Sequence, residues 1–243
     1  MRGVILDADS LGPDELDLTA LYKLPVDWTV YPHCLPSEVV ERIADADIVL
    51  TNKTAINAHT LAQVSQLKLI SLTATGTNII DLEAAANHGV AVCNAVGYGT
   101  ASVVQHVWAL LLALTTNLSS YSRTTVDGTW AQSKFFCLLD YPVRELEGKT
   151  LGIVGAGDLG TGVAKIAEAF GMKVIFAALP GRNYSDDLLR QPFNELLPVV
   201  DVLSLHCPLT NETQGLIGAE QLSLMKSSAV LINSARGGLI DEP

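Results

Sequence analysis

Short apolar segments alternate with polar, helix-compatible segments along most of this chain, and no other feature of the sequence limits the fold as strongly. In the first part of the chain the apolar segments are rich in β-branched residues and leucine, and each has the length of one strand. Strands that alternate with helices form a parallel sheet that is covered on both faces. We therefore predict strands over 2–8, 46–52, 67–73 and 89–95, and helices over 37–45 and 78–88.

The alternation resumes after a loop at 127–149. Before that loop we expect one long helix over 100–125, with Thr100 as its cap and a buried apolar stretch at 107–114. The later segments predict a second α/β sheet with four strands, whereas a doubly wound sheet commonly has about six. The sheet is thus expected to lack its last strands. Its predicted strands are 149–155, 173–178, 201–206 and 229–235, and its helices are 158–170 and 218–225.

Composition excludes several kinds of partner. The chain has 243 residues, of which 49% are hydrophobic, which is enough for one large or two modest domains. A formal net charge of −11 disfavours binding to nucleic acid or to an anionic membrane. Four dispersed cysteines and a start without a basic and apolar leader predict the reducing cytoplasm. No metal site is expected, because the five histidines have no cysteine or carboxylate at ligand spacing.

A glycine-rich segment, LGIVGAGDLG at 151–160, predicts a dinucleotide site. It follows an apolar strand and opens an amphipathic helix, which is the context that gives a G-x-G-x-x-G pattern its weight. Gly155 permits a tight turn, Gly157 lets a pyrophosphate approach the backbone, and Gly160 lets the helix pack on the strand. Free N–H groups and the positive end of the helix dipole then favour phosphate.

The segment after the next strand bears on which dinucleotide is bound. NAD sites place an acidic residue there, against the ribose 2′-hydroxyl, but this sequence has Ala178, followed by Arg182. Without a carboxylate a 2′-phosphate is not repelled, and a guanidinium can contact it. We expect NAD or NADP, with tolerance of NADP. Arg182 as a solvated loop residue remains the alternative.

Several segments together resemble the D-2-hydroxyacid dehydrogenases, and within them the glycerate dehydrogenases, which are also called hydroxypyruvate reductases. They follow one another in the family's order over nearly the whole chain. FFCLLDYP favours the glycerate type over related phosphoglycerate or formate dehydrogenases. The segments are TATGTNIIDLEAAANHGVAVCN, GTASVVQHVWALLLAL, FFCLLDYPVRELEGKTLGIVGAGDLG, LHCPLTNET and LINSARGGLIDE.

The resemblance implies two domains, one flavodoxin-like and one Rossmann-like, with an active site between them. By that resemblance, 1–97 form the substrate domain and 98–243 a truncated NAD(P)-binding domain. The chemistry implied is hydride transfer between a nicotinamide and C2 of a small 2-hydroxy or 2-keto acid, here D-glycerate and hydroxypyruvate or glyoxylate. It also implies a homodimer that docks through the 100–125 helix.

The resemblance assigns roles where residues match. Arg236 is the catalytic arginine that binds the substrate carboxylate and polarises the C2 oxygen, a task that suits a permanently charged planar fork. Thr75 and Gly76 face carboxylate and cofactor through their backbone. Lys53 helps to hold an acidic substrate, with an ordinary surface lysine as the alternative. The remaining cofactor positions are Val104, Asp158, Leu159, Cys207, Ser234 and Ala235, and Cys207 is read as a small buried residue and not as a nucleophile.

The family's acid–base histidine and its glutamate partner lie beyond Pro243 in the family pattern. Since such a group contributes ~10²–10⁴-fold in rate, we expect the 243-residue chain to have little or no turnover. One explanation is a fragment of a normal enzyme. The other is a natural non-catalytic module that binds a dinucleotide or a partner on the same fold.

Overall fold

The computed structural model describes residues 1–12, 17–179, 182–185 and 188–242. The chain divides into two compact units, Met1–Tyr98 and Gly99–Pro243. Each unit is built on one five-stranded sheet whose paired strands all run parallel. The predicted α/β class is therefore confirmed.

The sheet of the first unit has the strand order β2-β1-β3-β4-β5, which is the flavodoxin-like order. Val4, Val49 and Ile70 on its three central strands are fully buried and join one apolar core. All four predicted strands are present. Its strands are β1 (Arg2–Ile5), β2 (Asp27–Val30), β3 (Ile48–Thr51), β4 (Leu69–Leu72) and β5 (Ala91–Asn94), and its helices are α1 (Thr19–Tyr22), α2 (Val39–Ile43), α3 (Ala58–Leu61) and α4 (Leu82–Asn87).

The sheet of the second unit has the order β10-β9-β6-β7-β8, which is the Rossmann order with five strands. The prediction of four strands is wrong, because the short strand β8 pairs with β7 at the edge of the sheet. The strands are β6 (Thr150–Val154), β7 (Lys173–Ala178), β8 (Arg190–Pro192), β9 (Val202–Leu205) and β10 (Val230–Asn233). The helices are α5 (Thr100–Thr115), α6 (Leu118–Val126), α7 (Asp158–Ala169), α8 (Phe193–Leu196) and α9 (Ala219–Leu224).

The long helix predicted over 100–125 is two helices, α5 and α6, which meet at an angle of 67°. Asn117 lies between them in the left-handed conformation, with φ of 52°. The helix cannot continue because the N–H of Arg144 donates to the carbonyl of Thr115 at 2.8 Å. The predicted cap is also displaced by one residue, since Gly99 is the N-cap and Thr100 is the first helical residue.

The apolar stretch at 107–114, predicted to be a buried helix, is buried on one face only. Val107, Trp108 and Leu111 lie in the core of the second unit, where the Trp108 ring stacks on Phe170. Leu114, in contrast, is 57% exposed. The helix α5 therefore presents an apolar ridge outside the core of its own unit.

Candidate functional site

The residues predicted to bind cofactor and substrate in the second unit follow strands that end at one edge of its sheet. The 155–160 turn follows β6, Cys207 follows β9, and Ser234, Ala235 and Arg236 follow β10. β6 and β9 are neighbours, and the strand order reverses between them. Ligands of open α/β sheets bind outside the carboxyl ends of the strands at such a reversal.

The three glycines of the 155–160 turn have different structural reasons to be glycine. Gly155 has φ of 103°, and a Cβ there would lie 2.7 Å from the carbonyl of His206 at the end of β9. At Gly160 a Cβ would overlap the carbonyl oxygen of Gly155, so α7 packs directly on the turn. A Cβ on Gly157 would meet nothing within 4 Å. Gly157 therefore leaves open space, whereas the other two glycines allow close packing.

Helix α7 begins directly after this open position. Gly157 is its N-cap, Asp158 is exposed, and Leu159 is half-buried. The hydroxyl of Thr161 donates to the carbonyl of Gly157 at 2.9 Å and so fixes the turn. The first N–H groups of a helix have no acceptor within the helix and carry its positive dipole end. The turn, with its open face and its donors, fits the pyrophosphate of a dinucleotide.

His206 connects the strand ends around this turn, a role that its place in the sequence does not predict. Its Nε2 lies 2.8 Å from the hydroxyl of the buried Ser204, and its Nδ1 lies 3.4 Å from the hydroxyl of Ser234. Burial lowers the pKa of His206 to about 4, so the imidazole is neutral near pH 7. A neutral imidazole can donate to one hydroxyl and accept from the other.

Arg236 lies in an exposed turn that Asn233 holds in shape. The side-chain amide of Asn233 donates to the carbonyl of Arg236 at 2.8 Å, and its carbonyl oxygen accepts from the N–H of Ala235 at 3.0 Å. The Arg236 guanidinium donates through Nη1 to the Ala235 carbonyl at 2.8 Å. An exposed cation on a braced turn is suited to bind a carboxylate.

The segment after β7 contains the residues that were predicted to affect cofactor choice. Ala178 is the last residue of β7, and Arg182 is exposed. The Tyr184 hydroxyl accepts from the N–H of Leu179 at 2.8 Å, while the Arg190 guanidinium covers the Tyr184 ring at 3.9 Å. These contacts, which the sequence pattern does not predict, hold the Tyr184 side chain beside the end of β7.

Two predicted cofactor residues are buried. Burial raises the pKa of Cys207, against a smaller opposing effect of the nearby Arg182 charge, so a neutral thiol is favoured and the residue acts as a small apolar side chain. Val104 joins the core of the second unit, and a Cβ on Gly162 of α7 would lie 2.8 Å from its Cγ2. Its position depends on the close packing of α5 on α7.

In the first unit, the predicted substrate residues follow the neighbouring strands β3 and β4. Lys53 is exposed, and within the described part of the chain its ammonium makes no hydrogen bond or ion pair. The Thr75 hydroxyl donates to the Ala95 carbonyl at 2.8 Å, and the Asn94 amide donates to the Thr75 carbonyl at 2.8 Å. The loop of Thr75 and Gly76 is therefore fixed to the end of β5.

Two absences hold for the described residues. No group of three or more His, Cys, Asp or Glu side chains in them is placed to hold a metal ion. No single described helix is long and apolar enough to cross a membrane, and the bent pair α5 and α6 meets that test by length and composition alone.

The fold and the glycine turn are those of the doubly wound nucleotide-binding proteins. Residues 108–243 match the family described as "D-isomer specific 2-hydroxyacid dehydrogenase, NAD binding domain". The chain therefore belongs to the D-isomer specific 2-hydroxyacid dehydrogenases, as its sequence segments predicted.

Curated relatives match over most of the chain. A putative 2-hydroxyacid dehydrogenase of Haemophilus influenzae is 46% identical over 88% of this chain and 68% of its own length. A glycerate dehydrogenase of Methylorubrum extorquens is 42% identical, over 98% and 74% respectively. A hydroxypyruvate reductase of Blautia hydrogenotrophica is 37% identical, over 100% and 76%.

A solved structure also matches over nearly all of the chain. It is an acyclic imino acid reductase in complex with NADPH and D-Arg, with a TM-score of 0.87 and 29% identity. The match covers 99% of this chain and 76% of that one.

Proposed function

We propose that this dehydrogenase acts on D-glycerate and hydroxypyruvate, or on glyoxylate, as the small 2-hydroxy or 2-keto acid of its family's reaction. One observation carries the proposal: the open glycine turn after β6 and the braced Arg236 turn after β10 lie at the same edge of one sheet. Two of the relatives support the substrate by their names, a glycerate dehydrogenase and a hydroxypyruvate reductase.

The substrate is held by cations and backbone donors. Arg236 binds the carboxylate and draws electron density from the C2 oxygen, since its fork makes charge-assisted hydrogen bonds. The exposed ammonium of Lys53 adds a second positive charge, and the backbone N–H groups of Thr75 and Gly76 add donors. When bound, the nicotinamide supplies or accepts the hydride at C2.

The cofactor is held mainly by backbone and shape. Gly155, Gly157 and Gly160 form the turn that receives the pyrophosphate, with Asp158 and Leu159 at the start of α7. The residues proposed to line the remainder of the dinucleotide are Val104, Cys207, Ser234 and Ala235.

The protein is proposed to accept NADP as well as NAD. Ala178 leaves the end of β7 without the carboxylate that would repel a 2′-phosphate. Arg182 is exposed beyond it, and its charge acts on the Cys207 thiol at the end of β9. A guanidinium in this place offers charge-assisted hydrogen bonds to a 2′-phosphate.

A second copy of the chain is the proposed protein partner, docked through α5 and α6. Leu114, Leu118 and Val126 on these helices are 57%, 60% and 87% exposed. Large apolar side chains that are exposed in a contiguous patch are characteristic of an interface, and these three support the proposal by their exposure. A cytoplasmic location is also proposed, since all four cysteines are free thiols.

Calorimetry tests the proposed function directly. The protein is titrated with NADH and with NADPH, and the NADH complex is then titrated with oxamate, an unreactive 2-keto acid analogue. We expect both dinucleotides to bind, and oxamate to bind the complex of the unsubstituted protein but not that of Arg236→Gln. Consumption of NADH with hydroxypyruvate or glyoxylate is measured in parallel, and the 243-residue chain should bind these ligands with little or no turnover. Dinucleotide binding without any oxamate binding would favour a non-catalytic binding module instead.

A further inference from the structure

Asp7 lies where the strand order of the first unit reverses. β1 and β3 are neighbours in the order β2-β1-β3-β4-β5, although β2 lies between them in the chain. Asp7 follows β1, and the turn of Asn52, Lys53 and Thr54 follows β3. Both segments therefore lie at the carboxyl edge, at the position where flavodoxin-like sheets place their ligands.

The Asp7 carboxylate is surrounded by donors from this turn. It accepts backbone N–H groups from Asn52 at 2.9 Å, from Lys53 at 2.7 Å and from Thr54 at 2.7 Å. It also accepts the hydroxyls of Thr54 at 2.9 Å and Thr51 at 3.0 Å. Only 5% of the Asp7 surface is exposed. One buried side chain thus fixes three successive backbone N–H groups.

The charge on Asp7 is stabilised by the turn itself. Burial raises the pKa of Asp7. The hydrogen bonds from the backbone of Lys53, Asn52 and Thr54 lower it by more than burial raises it, so the pKa lies below its ordinary value. All five donors are neutral N–H or O–H groups. Because Asp7 is buried, these donors take the place of water around its carboxylate. They stabilise its charge only while the turn keeps this shape.

The turn has an inner and an outer side. Thr54 is 8% exposed and packs inside beside Asp7, while Lys53 is exposed. The Thr51 carbonyl, just before the turn, also accepts the N–H of Thr73 at 3.0 Å. The bonds around Asp7 therefore continue to the start of the Thr75 loop, which is fixed at its other side by Asn94.

We propose that Asp7 is a positioning residue, which holds the Asn52–Thr54 turn so that Lys53 presents its ammonium to the carboxylate of a 2-hydroxy or 2-keto acid. This inference rests on the proposed role of Lys53 in the function above. Asp7 itself is buried and does not touch the substrate. It acts through the hydrogen bond that its carboxylate accepts from the backbone N–H of Lys53.

A double-mutant cycle tests the inference with oxamate and the NADH complex. Asp7→Asn keeps the size of the side chain but turns an amide donor toward the N–H groups of the turn. We expect Asp7→Asn and Lys53→Met each to weaken oxamate binding on the order of tenfold. The first variant misplaces the ammonium of Lys53 and the second removes it, and a misplaced binding group loses much of its affinity. The double variant should bind oxamate no more weakly than Lys53→Met alone. NADH affinity should change less than about twofold in Asp7→Asn.

The controls separate this role from a loss of folding. Asp9→Asn removes the same charge from an exposed neighbour and should leave oxamate affinity unchanged. Thr54→Val is the substitute test if Asp7→Asn does not fold. It removes one hydroxyl donor and keeps the backbone, so it should weaken oxamate binding by a smaller factor. Amide exchange of Lys53 and Thr54 should accelerate in either variant.

The two failures are distinguishable. If Lys53→Met binds oxamate normally, the role of Lys53 in the proposed function is wrong, and the positioning role of Asp7 is wrong with it. If Lys53→Met weakens binding but Asp7→Asn has no effect, or weakens it by the same factor in both backgrounds, only the inference about Asp7 is overturned.

Discussion

The Nε2 atom of His206 lies 2.8 Å from the hydroxyl of Ser204, a side chain with no exposed surface. The backbone of the same histidine closes one side of the glycine turn, since no Cβ fits on Gly155 beside its carbonyl. His206 thus forms part of the wall of the candidate cofactor site. Its titration and the packing of the turn give separate predictions.

Acid should destabilise the second unit through His206. Burial lowers its folded pKa to about 4 from 6.5, so the stability that the neutral ring provides is fully present above the unfolded pKa. It is lost as the pH falls from about 6.5 through about 4, by at most roughly 3 kcal/mol. Urea unfolding at about pH 7.5 and about pH 5 should show a smaller pH-dependent loss for His206→Gln than for the unsubstituted protein. Equal losses in the two proteins would contradict the assignment.

Two glycine substitutions in the turn should have opposite consequences. Gly157→Ala places a methyl in open space at a φ of −77°, so the melting temperature should hold while NADH affinity falls about tenfold or more. Gly160→Ala drives a methyl into the Gly155 carbonyl and should destabilise the fold by about 1–3 kcal/mol. Thermal unfolding and NADH titration of both variants are the measurement. A destabilised Gly157→Ala protein, or a fully stable Gly160→Ala protein, would show that the turn is assigned incorrectly.

Arg182 should favour NADPH. Replacing it with Met removes charge-assisted hydrogen bonds of about 1.5–3 kcal/mol to a 2′-phosphate, so NADPH affinity should fall about 10- to 100-fold and NADH affinity little. Ala178→Asp, at the end of β7, should shift preference the same way by repulsion. Calorimetry with both dinucleotides measures the ratio. An unchanged ratio in Arg182→Met would support the reading of Arg182 as a solvated loop residue.

The exposed leucines Leu114 of α5 and Leu118 of α6 should mediate dimer formation. Leu114→Glu together with Leu118→Glu places two charges in an apolar interface, where unpaired charges are costly, so the variant should sediment as a monomer. Asn194→Glu on α8 adds charge at another exposed position and serves as the matched control. Sedimentation velocity decides the outcome. A monomeric unsubstituted protein, or a dimeric double variant, would rule out this interface.

The sequence predicted the central strands well because their apolar runs are long. Strand β7 was placed at its observed ends, 173–178. Two of the four edge strands, β2 and β8, were missed because they are short and have little apolar pattern: β2 has no fully buried residue, and β8 is a three-residue strand that ends in Pro192. The break at Asn117 was missed because it depends on the Arg144 N–H, which comes from a distant segment.

The parts of the candidate site that could be predicted are those with a recognisable local sequence motif. The glycine turn and the turn of Arg236 could be recognised because motif and flanking strand are contiguous in the chain. Asp7, Asn233 and His206 could not be found in that way, since their roles arise from side-chain hydrogen bonds that depend on folded geometry. A lone aspartate after a strand has no distinguishing local signal.

The most direct test of the central claim is a crystal structure of the protein with NADH. The account predicts the pyrophosphate within hydrogen-bond distance of the backbone N–H groups at 157–160, above the open face of Gly157. A dinucleotide bound elsewhere, with the 155–160 turn free of phosphate, would contradict the claim.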